Sequence, residues 1–290
     1  MAKAAQYRFA TAVGAIKIFF NENTQKVFSR QELEQVFRRQ GSKWNLPISM
    51  NEDRFIKQLL SKEIITHQEI TFEGYIGKKE CFTAPGFTVY ELATSLIKKS
   101  YLSHYTAVFL HGLTTQVPKT IYITFEQSKK RFVDRELEQE DIDEAFSKPQ
   151  RKTGARAIYE DFTLIVHNGM FTNRMGITHL NEVPVTSLER TLIDIMVRPN
   201  YAGGVQAVVD AFKNAQSEVS LNKLIATLDN LNFIYPYQQA LGFYLEKAGY
   251  EGKRIQVLRD RPKPLTFYLT YEMQETDYST DWNLYYPKGM

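Results

Sequence analysis

Residues 49–62 read SMNEDRFIKQLLSK, and this stretch decides how the N-terminal part of the chain is interpreted. Ser49 and Glu52 have the spacing of a capping box, in which a serine oxygen accepts a backbone N–H and a glutamate reaches back to the serine N–H. From Phe55 onward, apolar residues recur at three- and four-residue steps. The pattern predicts an amphipathic helix over Met50–Lys62 whose polar side carries side chains of the types that read DNA bases.

Two further helices are predicted before this stretch. An apolar stripe predicts the first at about Tyr7–Phe20. A capping box of Ser29 with Glu32 starts the second, which runs to about Gln40. The connection over residues 40–48 is longer than the tight turn of a simple helix-turn-helix.

A β-hairpin is predicted after the third helix, because two segments rich in β-branched and aromatic residues, 64–72 and 75–82, flank a turn that contains glycine. Three helices followed by a hairpin is the order of a winged helix-turn-helix. Pro85-Gly86 then interrupts the pattern. We therefore predict a winged-helix DNA-binding domain at residues 1–85 and a second domain at residues 86–290.

The second domain is predicted to be larger and mixed α/β, which makes the whole chain α+β. Helices are predicted at about Val89–Lys98, His104–His111 after a Ser103 cap, Thr186–Met196 after a capping box of Thr186 with Glu189, Gly204–Ala215, Leu221–Leu231 and Tyr237–Ala248. Strands are predicted at Thr120–Phe125, Phe162–His167, Gly176–Leu180, Ile255–Leu258, Leu265–Tyr271 and Trp282–Tyr286. The highly charged residues 128–156 are expected to form a surface excursion with a helix near Leu137–Phe146.

Three segments of this domain carry a resemblance to a known family. They are YLSHYTAVFLHGLT at residues 101–114, VPVTSLERTLID at residues 183–194 and RPNYAGG at residues 198–204. Their order and spacing, after the predicted winged helix, resemble those of AbiEi-type antitoxins. We refer to them below as the signature segments.

The resemblance implies a function as well as a fold. An AbiEi-type protein would be a transcriptional autorepressor that binds double-stranded DNA at inverted repeats in its own promoter, as a homodimer on DNA. It would also be the antitoxin of an abortive-infection toxin–antitoxin system for phage defence, and would counter a nucleotidyltransferase-like toxin of the AbiEii kind. A solitary DNA-binding regulator, a DNA-targeted nuclease and a protein whose winged helix binds another protein stay open as alternatives.

Composition and charge agree with an intracellular DNA-binding protein. Residues 1–86 contain 13 Lys and Arg against 9 Asp and Glu, so the positive excess of the chain lies in its N-terminal third. A single cysteine, Cys81, excludes an intramolecular disulfide and a Cys-rich zinc site. We expect a cytoplasmic protein without a signal peptide or a membrane-spanning segment.

The predicted DNA-binding residues fall into two groups. Base-reading side chains are expected on the third helix, at Asn51, Arg54, Lys57, Gln58 and Ser61. Phosphate contacts are expected at the end of the second helix and on the hairpin, from Arg38, Arg39, Lys43, Lys78 and Lys79.

Other chemically active residue types favour structural explanations, so we predict no enzyme activity, cofactor or metal. His104 and His111 lie on one predicted helix face but lack the further ligands that zinc requires. Asp141-Ile142-Asp143 lies in a charge run, whereas the metal-binding carboxylates of nucleotidyltransferases follow a buried strand. Glu189 and Asp194 are explained by helix capping and an ion pair along the helix.

Overall fold

The computed structural model describes residues 2–129 and 136–290 and has a mixed α+β fold. The chain divides into two compact units. Unit 1 comprises residues 1–100 with 155–164 and 181–183, and unit 2 comprises residues 101–154, 165–180 and 184–290. None of the helices formed by the described residues has the length and apolar composition needed to cross a membrane.

Unit 1 begins with helices and continues into a small sheet. Its elements are α1 (Ala2–Glu22), β1 (Val27–Phe28), α2 (Arg30–Gln40), α3 (Glu52–Ser61), β2 (Thr66–Phe72), β3 (Gly77–Thr83) and α4 (Val89–Ser95). The strands form an antiparallel sheet in the order β1-β3-β2. The predicted three helices and hairpin are therefore present, and β1 was not predicted.

The core of unit 1 lies where its first three helices meet. Phe55 of α3 is fully buried, with its ring centroid 6.4 Å from that of Phe9 in α1 and 5.2 Å from that of Phe37 in α2. Leu33 in α2 and Phe82 in β3 complete the same cluster. Each fully buried side chain of this size contributes roughly 1.5–3 kcal/mol of hydrophobic stabilisation.

The long connection between α2 and α3 is packed onto this core. The ring of Trp44 stacks on that of Phe55 at a centroid distance of 5.9 Å and meets Phe19 edge-on at 5.4 Å. The Trp44 backbone N–H donates to the Gln40 backbone carbonyl at 3.1 Å. The connection is long because it includes Trp44, whose ring packs on Phe55 of α3.

Unit 1 extends beyond the Pro85-Gly86 turn, where the sequence predicted a domain boundary. The turn is followed by α4, which begins with a complete capping box of Thr88 and Glu91. Leu92 and Ala93 of α4 are buried, and the helix contacts β1 and β3. Burial of this apolar face keeps α4 in unit 1, as far as Ser100.

The rest of the chain alternates strands and helices before it becomes mainly helical. Its elements are β4 (Tyr101–Leu102), α5 (His104–Leu110), β5 (Thr120–Glu126), α6 (Gln139–Ser147), β6 (Arg156–Tyr159), β7 (Phe162–Gly169), β8 (Ile177–Leu180), β9 (Val183–Thr186), α7 (Leu188–Val197), α8 (Val205–Asn214), α9 (Leu221–Leu231), α10 (Tyr237–Lys247), α11 (Lys253–Arg259), β10 (Phe267–Tyr268), β11 (Thr276–Ser279) and β12 (Leu284–Pro287). A 3₁₀ turn, Pro199–Tyr201, separates α7 from α8.

Two sheets follow from these strands. Six strands form a sheet in the order β6-β7-β5-β4-β9-β8, in which β4 pairs antiparallel with β5 and parallel with β9. The last three strands form a separate sheet in the order β10-β12-β11.

The core of unit 2 corrects two of the predictions. The strand predicted at Ile255–Leu258 is wrong, because both residues are buried on one side of α11, one helical turn apart. The surface excursion predicted for residues 128–156 is also wrong in part, because Ile142 and Phe146 of α6 are buried in the unit 2 core. Residues 130–135 of that stretch lie outside the described residues.

Candidate nucleic-acid interface

The helix α3 presents two chemically different faces. Phe55, Ile56 and Leu59 are buried against the core of unit 1. Arg54, Lys57 and Ser61 are exposed and lie at three- and four-residue steps, which places them on one side of the helix. The structure therefore leaves a polar, cationic helix face open to solvent.

The N-terminus of α3 is capped by Asn51, and the predicted capping box of Ser49 and Glu52 is wrong. The Asn51 side-chain oxygen accepts the Arg54 backbone N–H at 2.9 Å. The helix therefore begins at Glu52, two residues after the predicted start at Met50. The Asn51 amide oxygen, one of the groups predicted to contact bases, caps the helix in this structure.

Arg38 links α2 to the start of α3. Its Nε donates to the Glu52 carboxylate at 3.1 Å, and another guanidinium nitrogen lies 3.9 Å from Glu34. A hydrogen bond from the Glu52 backbone N–H, then the one from Arg38, lowers the pKa of the Glu52 carboxyl. Arg30 also crosses between the helices and pairs with Asp53. These surface pairs link α2 to α3, and the sequence did not predict them.

The remaining cations of this region are available for other partners. Arg39 and Lys43 are exposed, as is Lys57, and none of the three forms an ion pair or side-chain hydrogen bond with another described residue. Gln58 is half-buried, and the Ser61 hydroxyl donates to the Gln58 carbonyl at 3.0 Å. These three cations therefore have no ion-pair partner among the described residues.

The β2–β3 hairpin carries the last two predicted residues. Lys78 pairs with Glu69 on the neighbouring strand at 2.6 Å. Lys79 is half-buried and lies opposite Ile70. The turn of the hairpin also exposes Tyr75, a candidate contact that the sequence analysis missed. Of the two lysines, only Lys79 has no ion-pair partner among the described residues.

The signature segments, in contrast, contribute buried polar groups to unit 2. Arg190 of α7 donates to Asp194 at 2.7 Å and to the Met175 carbonyl at 2.8 Å. Burial raises the pKa of the Asp194 carboxyl, and Arg190 counteracts part of that effect. Glu126 of β5 accepts hydrogen bonds from the Thr172 hydroxyl and from the Arg174 backbone N–H.

Two helix caps predicted in the signature segments are wrong. Ser103 precedes α5 but makes no capping hydrogen bond, because its hydroxyl bonds to His104 Nδ1 at 2.8 Å and to Thr124 at 2.7 Å. Ser187 caps α7 in place of Thr186. For Ser103, a hydrogen bond to another strand replaces the predicted cap. For Thr186, the neighbouring Ser187 forms the cap.

Two histidines are buried together near the 3₁₀ turn. The ring centroids of His104 and His167 are 4.9 Å apart, and His167 lies 4.3 Å from Tyr201 and stacks on Tyr122 at 5.7 Å. Burial, then the charge of Arg198, lowers the pKa of His104 to about 3. Burial, then His104, lowers the pKa of His167 to about 2. Both imidazoles are therefore neutral at pH 7.

The other residues considered for catalysis or metal binding are also dispersed. His111 is not with His104 in a ligand set, because its Nε2 donates to the Thr186 carbonyl at 2.7 Å. Asp141 lies in the first turn of α6 and accepts the Glu138 backbone N–H. Within residues 2–129 and 136–290, no group of three or more His, Cys, Asp or Glu side chains is arranged to hold a metal ion.

A cleft of about 780 Å³ lies in unit 2. Two signature segments line it, through residues such as Tyr105 and Thr114 on one side and Asn200–Gly203 on the other. The Asn214 amide, which also lines the cleft, donates to the Leu113 carbonyl at 2.9 Å. The cleft joins the signature segments in space, although about 90 residues separate them in the sequence.

Comparison with known proteins shows a similarity of fold. No family model matches the sequence. No curated protein matches it. Among solved structures, the chain is similar to the crystal structure of the RV2827C protein from Mycobacterium tuberculosis, with a TM-score of 0.55 and 14% sequence identity. The alignment covers 96% of this chain and 91% of that one, so the mixed α+β fold is shared over nearly the whole length.

Proposed function

We propose that the protein is a DNA-binding transcriptional autorepressor and the antitoxin of a toxin–antitoxin system. The observation that carries the DNA-binding part is the solvent-exposed face of α3 with Arg54 and Lys57, opposite a face fully committed to the core. In this proposal, α1–α3 and the β2–β3 hairpin act as a winged helix.

The proposed complex assigns different tasks to the two groups of cations. An α-helix fits the width of the major groove, where Arg54 and Lys57 would reach guanine edges and Gln58 an adenine edge. Arg39, Lys43 and Lys79 would neutralise phosphates and so fix the orientation of the protein without reading sequence. A homodimer on inverted repeats would repeat these contacts on both half-sites.

The antitoxin part is supported by the signature segments and by their resemblance to AbiEi-type antitoxins. In a cell, the partner would be a nucleotidyltransferase-like toxin encoded next to this gene, and the protein would act in the cytoplasm without catalysis of its own. Unit 2, which contains most of the three segments, would then carry the antitoxin activity.

DNA binding is tested by fluorescence anisotropy with the full chain and the DNA upstream of its own gene. Arg54→Ala should weaken binding by about 1–3 kcal/mol if the side chain contacts a base. Lys57→Ala should weaken it by a similar amount, whereas Lys17→Ala on the exposed side of α1 is the matched control and should not. Equal affinities for all four proteins would contradict the assignment of α3 as the DNA-reading helix.

Antitoxin activity is tested separately by coexpression with the product of the adjacent open reading frame. If the proposal holds, the protein restores growth to cells that express this product, and Arg54→Ala still does so while repression is lost. An adjacent gene unrelated to nucleotidyltransferases, with no toxicity to counter, would contradict the antitoxin assignment and favour a solitary regulator.

A further inference from the structure

Ile48, in the connection before α3, is an apolar side chain with no packing partner. Its exposure is 105% of the reference value for an unpacked residue, whereas the next most exposed large apolar side chains of the described residues, Val117 and Ile234, reach 66%. Scattered exposed apolar residues are common on protein surfaces, but most retain some contact with neighbours. Ile48 differs from the other exposed apolar residues in the extent of its exposure, and its place beside α3 gives that exposure a use.

The backbone around Ile48 forms a hydrogen-bonded turn that places the side chain in solvent. The Met50 N–H donates to the Pro47 carbonyl at 2.8 Å, which closes a turn with Ile48 and Ser49 at its tip. Met50 is buried after the turn. The Arg54 guanidinium donates to the Ser49 carbonyl at 2.9 Å and ties the turn to α3. The turn therefore presents Ile48 in a defined position beside the start of the helix.

The position of Ile48 and the residues around it indicate which chemical group the side chain contacts. It lies three residues before the Asn51 cap, at the end of α3 from which recognition helices contact base edges. The exposed side chains of Asn51 and Arg54 close by are of types that suit base edges, and the acidic Asp53 is paired with Arg30. In the major groove, the thymine 5-methyl group is the apolar feature that distinguishes one base from the others.

We propose that Ile48 determines sequence specificity by contacting the 5-methyl group of a thymine, next to the base read by Arg54. The inference rests on the proposed DNA binding through α3 and adds the chemical identity of one base. It predicts a site in which a thymine is required for its methyl group rather than for its hydrogen-bonding pattern.

The test uses duplexes that the full chain selects from a randomised DNA library. In a selected duplex, each thymine is replaced in turn by deoxyuridine, which removes the methyl group and keeps Watson–Crick pairing. At one thymine per half-site, the wild-type protein should lose about fourfold in affinity, the effect expected for one buried methyl group. Ile48→Ala loses the contact in both half-sites of a dimer, so its affinity for the thymine duplex should fall by about sixteenfold, with no further loss on deoxyuridine replacement.

A matched control is Ile18→Ala, which removes the same side chain from an exposed position on α1. It should keep the full sensitivity to the methyl group, and unchanged thermal melting should verify that both variants are folded. Selective binding without methyl sensitivity, or equal sensitivity in wild type and Ile48→Ala, overturns the role of Ile48 and leaves DNA binding intact. Failure of the protein to enrich any sequence overturns both proposals.

Discussion

Arginines of the α2–α3 region lie at the surface, whereas Arg190 of α7 is buried with its partner Asp194. Arg54 and Arg38 are exposed, and Arg38 shares its charge with two acidic residues that are also in contact with water. The side chains of Arg190 and Asp194 are only 7% and 11% exposed, and their charges compensate each other in the interior.

This difference separates the residues that maintain the fold from those available for recognition. Charges at the surface interact weakly because water screens them, and they can exchange one partner for another. A buried charge must keep its partner, because desolvation makes the unpaired state costly. The signature segments therefore contain charges that are compensated within unit 2, whereas the DNA sequence read by unit 1 would depend on side chains outside those segments.

The largest effect is expected from removing one member of the buried pair of Arg190 and Asp194. Arg190→Met should destabilise unit 2 by about 3–5 kcal/mol, because Asp194 loses its counter-charge in the interior. Urea denaturation followed by tryptophan fluorescence measures the effect. The double variant Arg190→Met/Asp194→Leu should recover much of the loss. If it does not, the arginine contributes packing rather than charge compensation.

Lowering the pH tests the same interior through its two neutral histidines. Because the folded pKa values of His104 and His167 lie well below 6.5, protons bind the unfolded chain first as the pH falls. Stability present above pH 6.5 is then lost progressively toward pH 3, by about 2.5 kcal/mol between pH 7 and pH 5.5 for two such groups.

This prediction is checked by denaturation at a series of pH values. The double variant His104→Gln/His167→Gln should show a smaller loss than wild type over the same interval, whatever its stability at pH 7. An identical pH dependence in both proteins would mean that the imidazoles become protonated without unfolding, and that burial and Arg198 do not keep them neutral.

A smaller effect is expected at the exposed end of α3. Asn51→Ala should cost about 1 kcal/mol, because the Arg54 N–H loses its capping acceptor. Asn51→Asp restores an acceptor and should recover stability. If Asn51→Ala instead leaves stability unchanged and abolishes DNA binding, the amide contacts a base and the cap is dispensable.

The smallest difference is expected between two neighbouring arginines of α2. Arg39→Ala should reduce the slope of log affinity against log salt concentration by about one, as for the loss of a phosphate contact. Arg38→Ala should reduce it less, because Glu34 and Glu52 already compensate that charge. Equal slopes for the two variants would show that DNA displaces the carboxylates from Arg38.

Local signals in the sequence predicted the helices of unit 1 well. The capping box of Ser29 and Glu32 is present with both hydrogen bonds, and α2 ends at Gln40 as predicted. The exposed face of α3 was also predicted, because the 3.6-residue period alone assigns buried and exposed positions. These features depend on residues within a few positions of one another.

Features that depend on distant residues were missed. The two-residue strands β1 and β4 have no period of their own and exist because β3 and β5 supply hydrogen-bonding partners. Arg38 was assigned to phosphate because its pairing with Glu52 spans 14 residues and requires the packing of α2 on α3. Local patterns contain no information about either kind of contact.

Trp282 sets the order in which the two cores can be completed during synthesis. Its buried indole occupies the space beside Gly242 in α10, where an added Cβ would lie 2.0 Å from the ring. The hydrophobic cluster of α1–α3 needs no residue beyond Ala84. During synthesis, that cluster can therefore form early. The apolar surface of α10 beside Gly242 stays uncovered until Trp282 has left the ribosome.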